Sequence, residues 1–469
     1  MADRPAWLDV VAPSGAVRQR LLAGVIERLQ LYLDHRADLP VAPAVDADAL
    51  RAALAAEDFR DPRPLGELVA AVAVALEHGM VHTGHPRYFG LFNPPSCFPG
   101  QVADLITAVI NPQLAVWSHA AVPVEIERRV IEEMGDALGL PPPVFGHFTT
   151  GGAEANFTAL LLALTRAEPR FASEGVRGYA GQPMLYASAE SHLAWFKIAH
   201  QSGLGRAAVR LVTTDEAGRI NPVRLDEAIT ADRQAGHIPV MIVGTAGTTT
   251  AGMIDPLPDI AAVAQAQRLH FHVDAAWGGA AAFSPALHPY LVGIEQADSV
   301  TVDAHKWLSV PMGAGMLLCR DADALRETFQ VTTGYMPQGS EADDPYCHSL
   351  QWSRRFAGLK LYLSLAALGR SGYGEMIDHM TGLAELLRNG LRQRAWTVRN
   401  PTPLPVICFT GNRGDDPATV AARLQTAGGA WISAAKYVGR PVLRACITSF
   451  ETTEDDVMRL LDLLDEARR

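Results

Sequence analysis

The sequence predicts an α/β fold, with a mostly parallel central sheet covered by helices and a small C-terminal α+β domain. First, between about residues 86 and 330, short runs rich in Val, Ile, Leu or aromatics (144–148, 184–187, 240–243, 271–273 and 299–302) alternate with longer Ala/Leu-rich stretches. That alternation marks βαβ units and a parallel sheet. Second, residues 354–394 read as one long helical region. Third, strand-like VICFT, WISA and VLRACIT come after it, and the closing helix starts at Thr453-Glu-Asp-Asp456, which resembles a capping box. The predicted division is a helical arm over 1–85, a large α/β domain over 86–350, and a linking helix with the small domain over 351–469. In the arm, Leu21, Leu22, Val25, Ile26 and Leu29 recur at helical spacing, and a second helix covers 65–78. Such an arm packs either on a partner subunit or on its own body.

Composition excludes several classes. A chain of 469 residues, 48% hydrophobic and 19% charged, is long enough for a large core and is not disordered. A net charge of −11 argues against nucleic acid or an anionic membrane as the main partner. The five cysteines are scattered and odd in number, which favours a reducing compartment and thiols that simply pack. The opening MADRPAWLDVV has no basic, then apolar, signal pattern, and the longest apolar runs fall far short of the ~20 residues that span a bilayer. The expectation is a cytoplasmic protein acting on a small molecule.

The chemistry concentrates at strand ends. Each of the five strand candidates runs into polar or glycine-rich residues: TTGGAEAN, SAESH, GTAGTTT, DAAWGG and DAHKW. Open α/β sheets bind ligands outside the carboxyl ends of their strands, so five such ends predict one shared site. In Thr150-Gly151-Gly152-Ala153-Glu154-Ala155-Asn156, paired glycines open a helix whose first N–H groups suit a phosphate; an ordinary tight βα turn reads the same way. Asp274 leaves a buried strand, where a carboxylate needs a partner: a heterocyclic N–H, a helix cap or a salt bridge. Lys306 ends another such strand beside Trp307. Desolvation there would make its amine nucleophilic toward a carbonyl, whereas a surface position would let it snorkel. His192 can stack on an aromatic ring, move protons, or serve as a structural histidine.

These blocks together resemble the pyridoxal 5′-phosphate (PLP) dependent group II amino-acid decarboxylases. The matching text is HPRYFGLFNP (85–94), TTGGAEANFTAL (149–160), SAESH (188–192), GTTTAGMIDPL (247–257), VDAAWGG (273–279), ADSVTVDAHKWLSVP (297–311) and RRFAGLKLYL (354–363). The resemblance runs in order through nearly the whole chain. It implies fold type I, the aspartate-aminotransferase type, in an obligate homodimer with active sites at the subunit interface. It implies that Lys306 forms a Schiff base with PLP and Asp274 pairs with the pyridine nitrogen. His192 would stack on the ring, and Gly151, Gly152 and Ala153 would bind the phosphate with His305 nearby. Thr249 would sit by the acid or the cofactor face. A catalytic tyrosine on a mobile loop, here 331–349, would donate a proton after CO2 leaves; Tyr346 is the first candidate and Tyr335 the second. Arg444 matches an arginine that contacts the substrate carboxylate. Tyr88, Phe89, Phe92 and Trp117 are candidates for an aromatic substrate pocket, and Trp117 and His119 lie where a partner chain could contribute. Ala153 departs from the Ser or Thr common at that position, which loses one side-chain contact. Trp352-Ser353 stands before RRF where Pro and Gly are frequent.

The expected reaction is decarboxylation of an amino acid, leaning toward aromatic substrates, to the corresponding amine. An aminotransferase or an aldehyde-forming decarboxylating deaminase would use the same cofactor residues. A non-catalytic module on the same fold is a remote third reading. No metal site is expected: His78, His82 and His85 lack a metal-binding order, and Gly203-x-Gly205 follows a helix-like stretch, not a strand.

Overall fold

The computed structural model describes residues 6–57, 59–331, 344–412 and 414–468. Seven strands build the main sheet: β1 (Phe145–Thr149), β2 (Pro183–Ser188), β3 (Val209–Val212), β4 (Ile238–Thr245), β5 (His270–Asp274), β6 (Ser299–Asp303) and β7 (Gly315–Cys319), in the order β1-β7-β6-β5-β4-β2-β3. Strands β6, β5, β4, β2 and β3 run parallel, and β7 alone is reversed, antiparallel to both β1 and β6. The carboxyl ends of β1, β2, β4, β5 and β6 therefore share one edge. All five predicted strands appear within one or two residues of their predicted limits. Strands β3 and β7 are additions. They are short, and GMLLC carries no alternation that separates it from a buried helix turn.

The second sheet holds β8 (Trp396–Val398), β9 (Val406–Gly411), β10 (Ser433–Tyr437) and β11 (Arg440–Cys446), all antiparallel, in the order β10-β11-β9-β8. The long helix Gly358–Gln393 leads into it and breaks at Gly369, whose φ of 68° no helical residue adopts. The closing helix Glu454–Ala467 starts with the predicted capping box: Thr453 and Asp456 satisfy each other's backbone N–H groups.

One apolar core joins the faces of the main sheet, the helix Gly152–Ala167 and the long helix. The arm is different. Helices Gly15–His35, Ala47–Ala55 and Leu65–Gly79 have no buried residue among those described. Leu22, Ile26, Leu29 and Leu76 stand exposed there, as do Val109 and Ile110 on the helix Phe98–Ile110. Among the described residues, no helix is long and apolar enough to cross a membrane.

Candidate active site

The five strand ends converge as predicted. One cavity is lined by Gly152, Ala153 and Asn156 after β1 and by His192 after β2. Thr245, Gly247 and Thr249 follow from the end of β4, Asp274, Ala276 and Trp277 from β5, and Asp303 and Lys306 from β6; Phe92 closes it. Gly247 turns the chain there with a φ of 96°, and a Cβ on it would press on Trp277 and the Gly278 backbone.

Lys306 is one-quarter exposed, and its Nζ lies 2.9 Å from Asp303 Oδ2. The other oxygen of Asp303, Oδ1, is buried and makes no hydrogen bond. Asp274 ends β5 and is held on both oxygens: Oδ1 accepts from the Ala276 N–H at 3.1 Å and Oδ2 accepts from Asn156 Nδ2 at 2.9 Å. His192 Nδ1 accepts from the Ala194 N–H at 3.1 Å, so the proton of the neutral ring sits on Nε2. Burial, the largest influence, pushes the His192 pKa below its ordinary value; Asp274 opposes that shift and Lys306 adds to it. His305 is buried and likewise lowered by burial. Its Nδ1 accepts from Ala314 N–H at 3.2 Å, and its Nε2 lies 3.8 Å from Asp303 Oδ2.

The helix Gly152–Ala167 begins at the cavity wall, with Gly151 as its N-cap in extended backbone. The N–H groups of Gly152 and Ala153 lie in the first turn, where no intrahelical acceptor exists. A Cβ on Gly152 would stand 2.8 Å from Asp303 Oδ2 and 3.2 Å from Ala276 Cβ. The space is therefore kept open by glycine, as an anion cradle at a helix N-terminus requires.

Arg444, in β11, is buried, and its Nε donates to the carbonyls of Thr249 (3.0 Å) and Thr250 (3.1 Å). Its Nη1 donates to Gly90 O at 2.5 Å, and its Nη2 has no partner among the described residues. The guanidinium lies 4.8 Å from the centroid of Phe92, which stacks on Trp277 at 4.4 Å.

Gly151, His305 and Arg444 do not line this cavity themselves but neighbour residues that do (Gly152, Lys306 and Phe92), and four further predicted residues are not brought to it by their own chain. Tyr88 is buried against Trp431, with which it forms an isolated β-bridge, and its hydroxyl accepts from the Leu91 N–H. Phe89 has no exposed surface and belongs to the core. Trp117 lines a separate cavity with Arg128, Val144 and Arg354, and its indole donates to Glu125 at 3.0 Å. Tyr346 stacks on Trp352 with centroids 5.0 Å apart, and its N–H donates to Ala115 O. Tyr335, with the rest of 332–343, lies outside the described residues. Conversely, Asp303, Asn156, Thr245 and Trp277 line the site without having been singled out. Asp303 carried the same signal as Asp274, a carboxylate closing an apolar strand.

The comparisons match this geometry. Residues 49–411 match the model of the pyridoxal-dependent decarboxylase conserved domain. The chain belongs to that family. The L-2,4-diaminobutyrate decarboxylase of Rhizobium meliloti is 32% identical over 429 residues, covering 88% of this chain and 85% of that one. The aromatic-L-amino-acid decarboxylase of Bacillus atrophaeus is 27% identical over 448 residues, covering 92% and 91%. The crystal structure of Oryza sativa TDC with PLP and tryptamine superposes with a TM-score of 0.92 at 25% identity, covering 97% of this chain and 98% of that one. This family member is thus a PLP-dependent amino-acid decarboxylase of fold type I.

Proposed function

We propose that Lys306 is the covalent anchor for PLP, that the strand-end cavity holds the cofactor, and that the substrate is an aromatic amino acid. The observation that carries this is the meeting in one cavity of an amine, a fixed carboxylate and a glycine-lined helix start. The residues fit the group. Gly151, Gly152 and Ala153 offer backbone amides to a phosphate, with His305 beside them. Asp274, locked on both oxygens, offers a charge that suits a protonated ring nitrogen. His192 and Thr249 border the space between acid and amine. Bound there, PLP supplies an electron-withdrawing ring that takes up the electron pair left when CO2 departs.

The chain's own contribution is selection. Arg444 has a single guanidinium nitrogen free, and a planar cation held by three carbonyls is preset to take a carboxylate. Phe92 and Trp277 give the same wall an apolar surface, which favours an aromatic side chain over an acidic one.

We also infer a homodimer in the cytoplasm. The arm helices carry exposed leucines and isoleucines that stand uncovered among the described residues, and a second copy would cover them. In that arrangement Tyr346 would donate a proton, and Trp117 would line the substrate pocket, across the interface. The division into 1–85, 86–350 and 351–469 is supported by arm helices that bury no residue and by the two separate sheets. The test is purified protein plus PLP, screened against all amino acids for CO2, amine, ammonia and peroxide. Amine with stoichiometric CO2 from aromatic substrates is expected. Ammonia with peroxide would establish the aldehyde-forming rival, and acidic substrates alone would overturn the aromatic assignment.

A further inference from the structure

We propose that His272 is a positioning residue for Asp274, acting through Asn156 along a buried, one-directional chain of hydrogen bonds. The inference rests on the reading that Asp274 meets the pyridine nitrogen of PLP. His270, His272 and Asp274 occupy alternate positions of β5 and so share one face of the sheet. Ser299 is the register partner of His272 on β6. Four contacts link them: His270 Nε2 to Ser299 Oγ (2.8 Å), Ser299 Oγ to His272 Nδ1 (2.8 Å), His272 Nε2 to Asn156 Oδ1 (3.0 Å), and Asn156 Nδ2 to Asp274 Oδ2 (2.9 Å).

The direction of each proton follows from the acid. A carboxylate only accepts, so Asn156 turns its NH2 toward Asp274 and its oxygen toward His272. That oxygen needs a donor, so His272 carries its proton on Nε2. Its Nδ1 then accepts from the Ser299 hydroxyl, and the Ser299 oxygen accepts from His270 Nε2–H. The chain stops at His270 Nδ1, which is buried without a partner. Asn156, His272 and Ser299 are all fully or almost fully buried, and the further contact on the ring, Thr301 Oγ1 at 3.4 Å from Nε2, is longer than the 3.0 Å to Asn156 and leaves that nitrogen as the donor. Burial lowers the pKa of both histidines, His270 to about 4, so the rings act as neutral tautomers and not as charges. Trp195 meets the His272 ring edge-on at 5.8 Å. Without the His272 donor, the oxygen of Asn156 is left buried and unpaired, and the amide that holds Asp274 loses its own anchor.

Two substitutions separate the two ring nitrogens. His272→Gln keeps a donor at the Nε2 position, whereas His272→Asn keeps only the Nδ1 side. The readouts on the holoenzyme are the PLP dissociation constant, the chemical shift of 15N-labelled pyridine nitrogen, and the melting temperature of the cofactor-free protein. His272→Asn should raise the dissociation constant about tenfold, the scale of one hydrogen bond to a charged group, and move the 15N shift toward that of an unprotonated ring. His272→Gln should stay within about twofold. A merely structural role would lower melting temperature in both and leave the 15N shift alone, which overturns the proposal. Ser299→Ala, a smaller change, gives the second reading: a rise of about threefold supports the chain, and an unchanged constant and shift refute it. Asp274→Ala distinguishes the failures. If it moves both readouts while His272→Asn moves neither, only the relay is wrong; if it moves neither, Asp274 does not meet the ring nitrogen.

Discussion

Gly152→Ala is the most direct test of the phosphate cradle. The added methyl carbon would stand 2.8 Å from Asp303 Oδ2 and 3.2 Å from Ala276 Cβ. Neither neighbour yields easily: Asp303 is a buried strand residue that holds Lys306 at 2.9 Å, and Ala276 donates its N–H to Asp274. The strain has two outlets. Either the Asp303 carboxylate swings away from Lys306, or the first turn of the helix backs off by a few tenths of an ångström. Overpacking of this kind costs about 1–3 kcal/mol. Where the strain displaces the first-turn N–H groups from the phosphate, it corresponds to a loss of roughly 5- to 150-fold in PLP affinity. The assay is a PLP titration by absorbance, paired with the melting temperature of the cofactor-free protein. Gly382→Ala is the control. It sits exposed in the long helix with nothing within 4 Å of its would-be Cβ, so it should stabilise by up to about 1 kcal/mol and leave PLP affinity alone. Wild-type affinity and melting temperature in Gly152→Ala would refute the cradle.

Further outcomes follow from the same geometry. Lys306→Ala should lose turnover and the absorbance band of lysine-bound PLP, and retained activity would end the assignment of the anchor. Arg444→Lys should raise KM for the amino acid about tenfold or more, because a point charge cannot serve three carbonyls and a carboxylate together; equal KM values would remove Arg444 from the substrate site. Burial lowers His85 to about 4 and His270 to about 4, against about 6.5 in an unfolded chain. The unfolded state therefore takes protons first, and stability should fall as pH drops from about 6.5 to 4. Asp255, pushed up to about 7 by burial, has the opposite sign and loses stability as pH rises toward 7. Melting curves of His85→Gln against wild type isolate the first effect: the variant's profile should be flatter below pH 6.5, and parallel profiles would contradict it.

Most of the strand-end cavity was legible because the fold writes it locally. A strand that ends in a carboxylate or an amine puts that group at the sheet edge, whatever the rest of the chain does, and Asp274 and Lys306 follow that rule. Asp303 follows it too, closing β6 three residues before the Lys306 it pairs with. Asn156 was visible inside TTGGAEAN but had no assigned task. Its task depends on His272 and Ser299, which reach it only once β5 and β6 pair beneath the helix. Tyr88 and Phe89 misled for the converse reason. Aromatic residues near a motif fill cores as readily as pockets, and only the cover given by the second sheet decides between them.

Substrate recognition is of another kind, and the positions of its candidates explain why sequence order conceals it. Arg444 stands on β11 against Phe92, where it is tied to the turn after β4 and to Gly90, segments some 195 and 354 residues away in the chain. Its one free nitrogen is therefore set by the docking of the small sheet on the large one, not by any neighbour in VLRAC. Trp117 and Tyr346 stand one step further removed. Asp344 Oδ1 accepts from the Trp117 N–H and Tyr346 N–H reaches Ala115 O, so the two are braced together beside a cavity that Lys306 does not line. The pair stands away from the cavity that Lys306 lines. If it serves catalysis, it does so for a neighbouring subunit, and a Tyr346→Phe chain mixed with a Lys306→Ala chain should recover activity in hybrid dimers that neither parent shows. No recovery on mixing would place the proton donor in the same chain as its lysine.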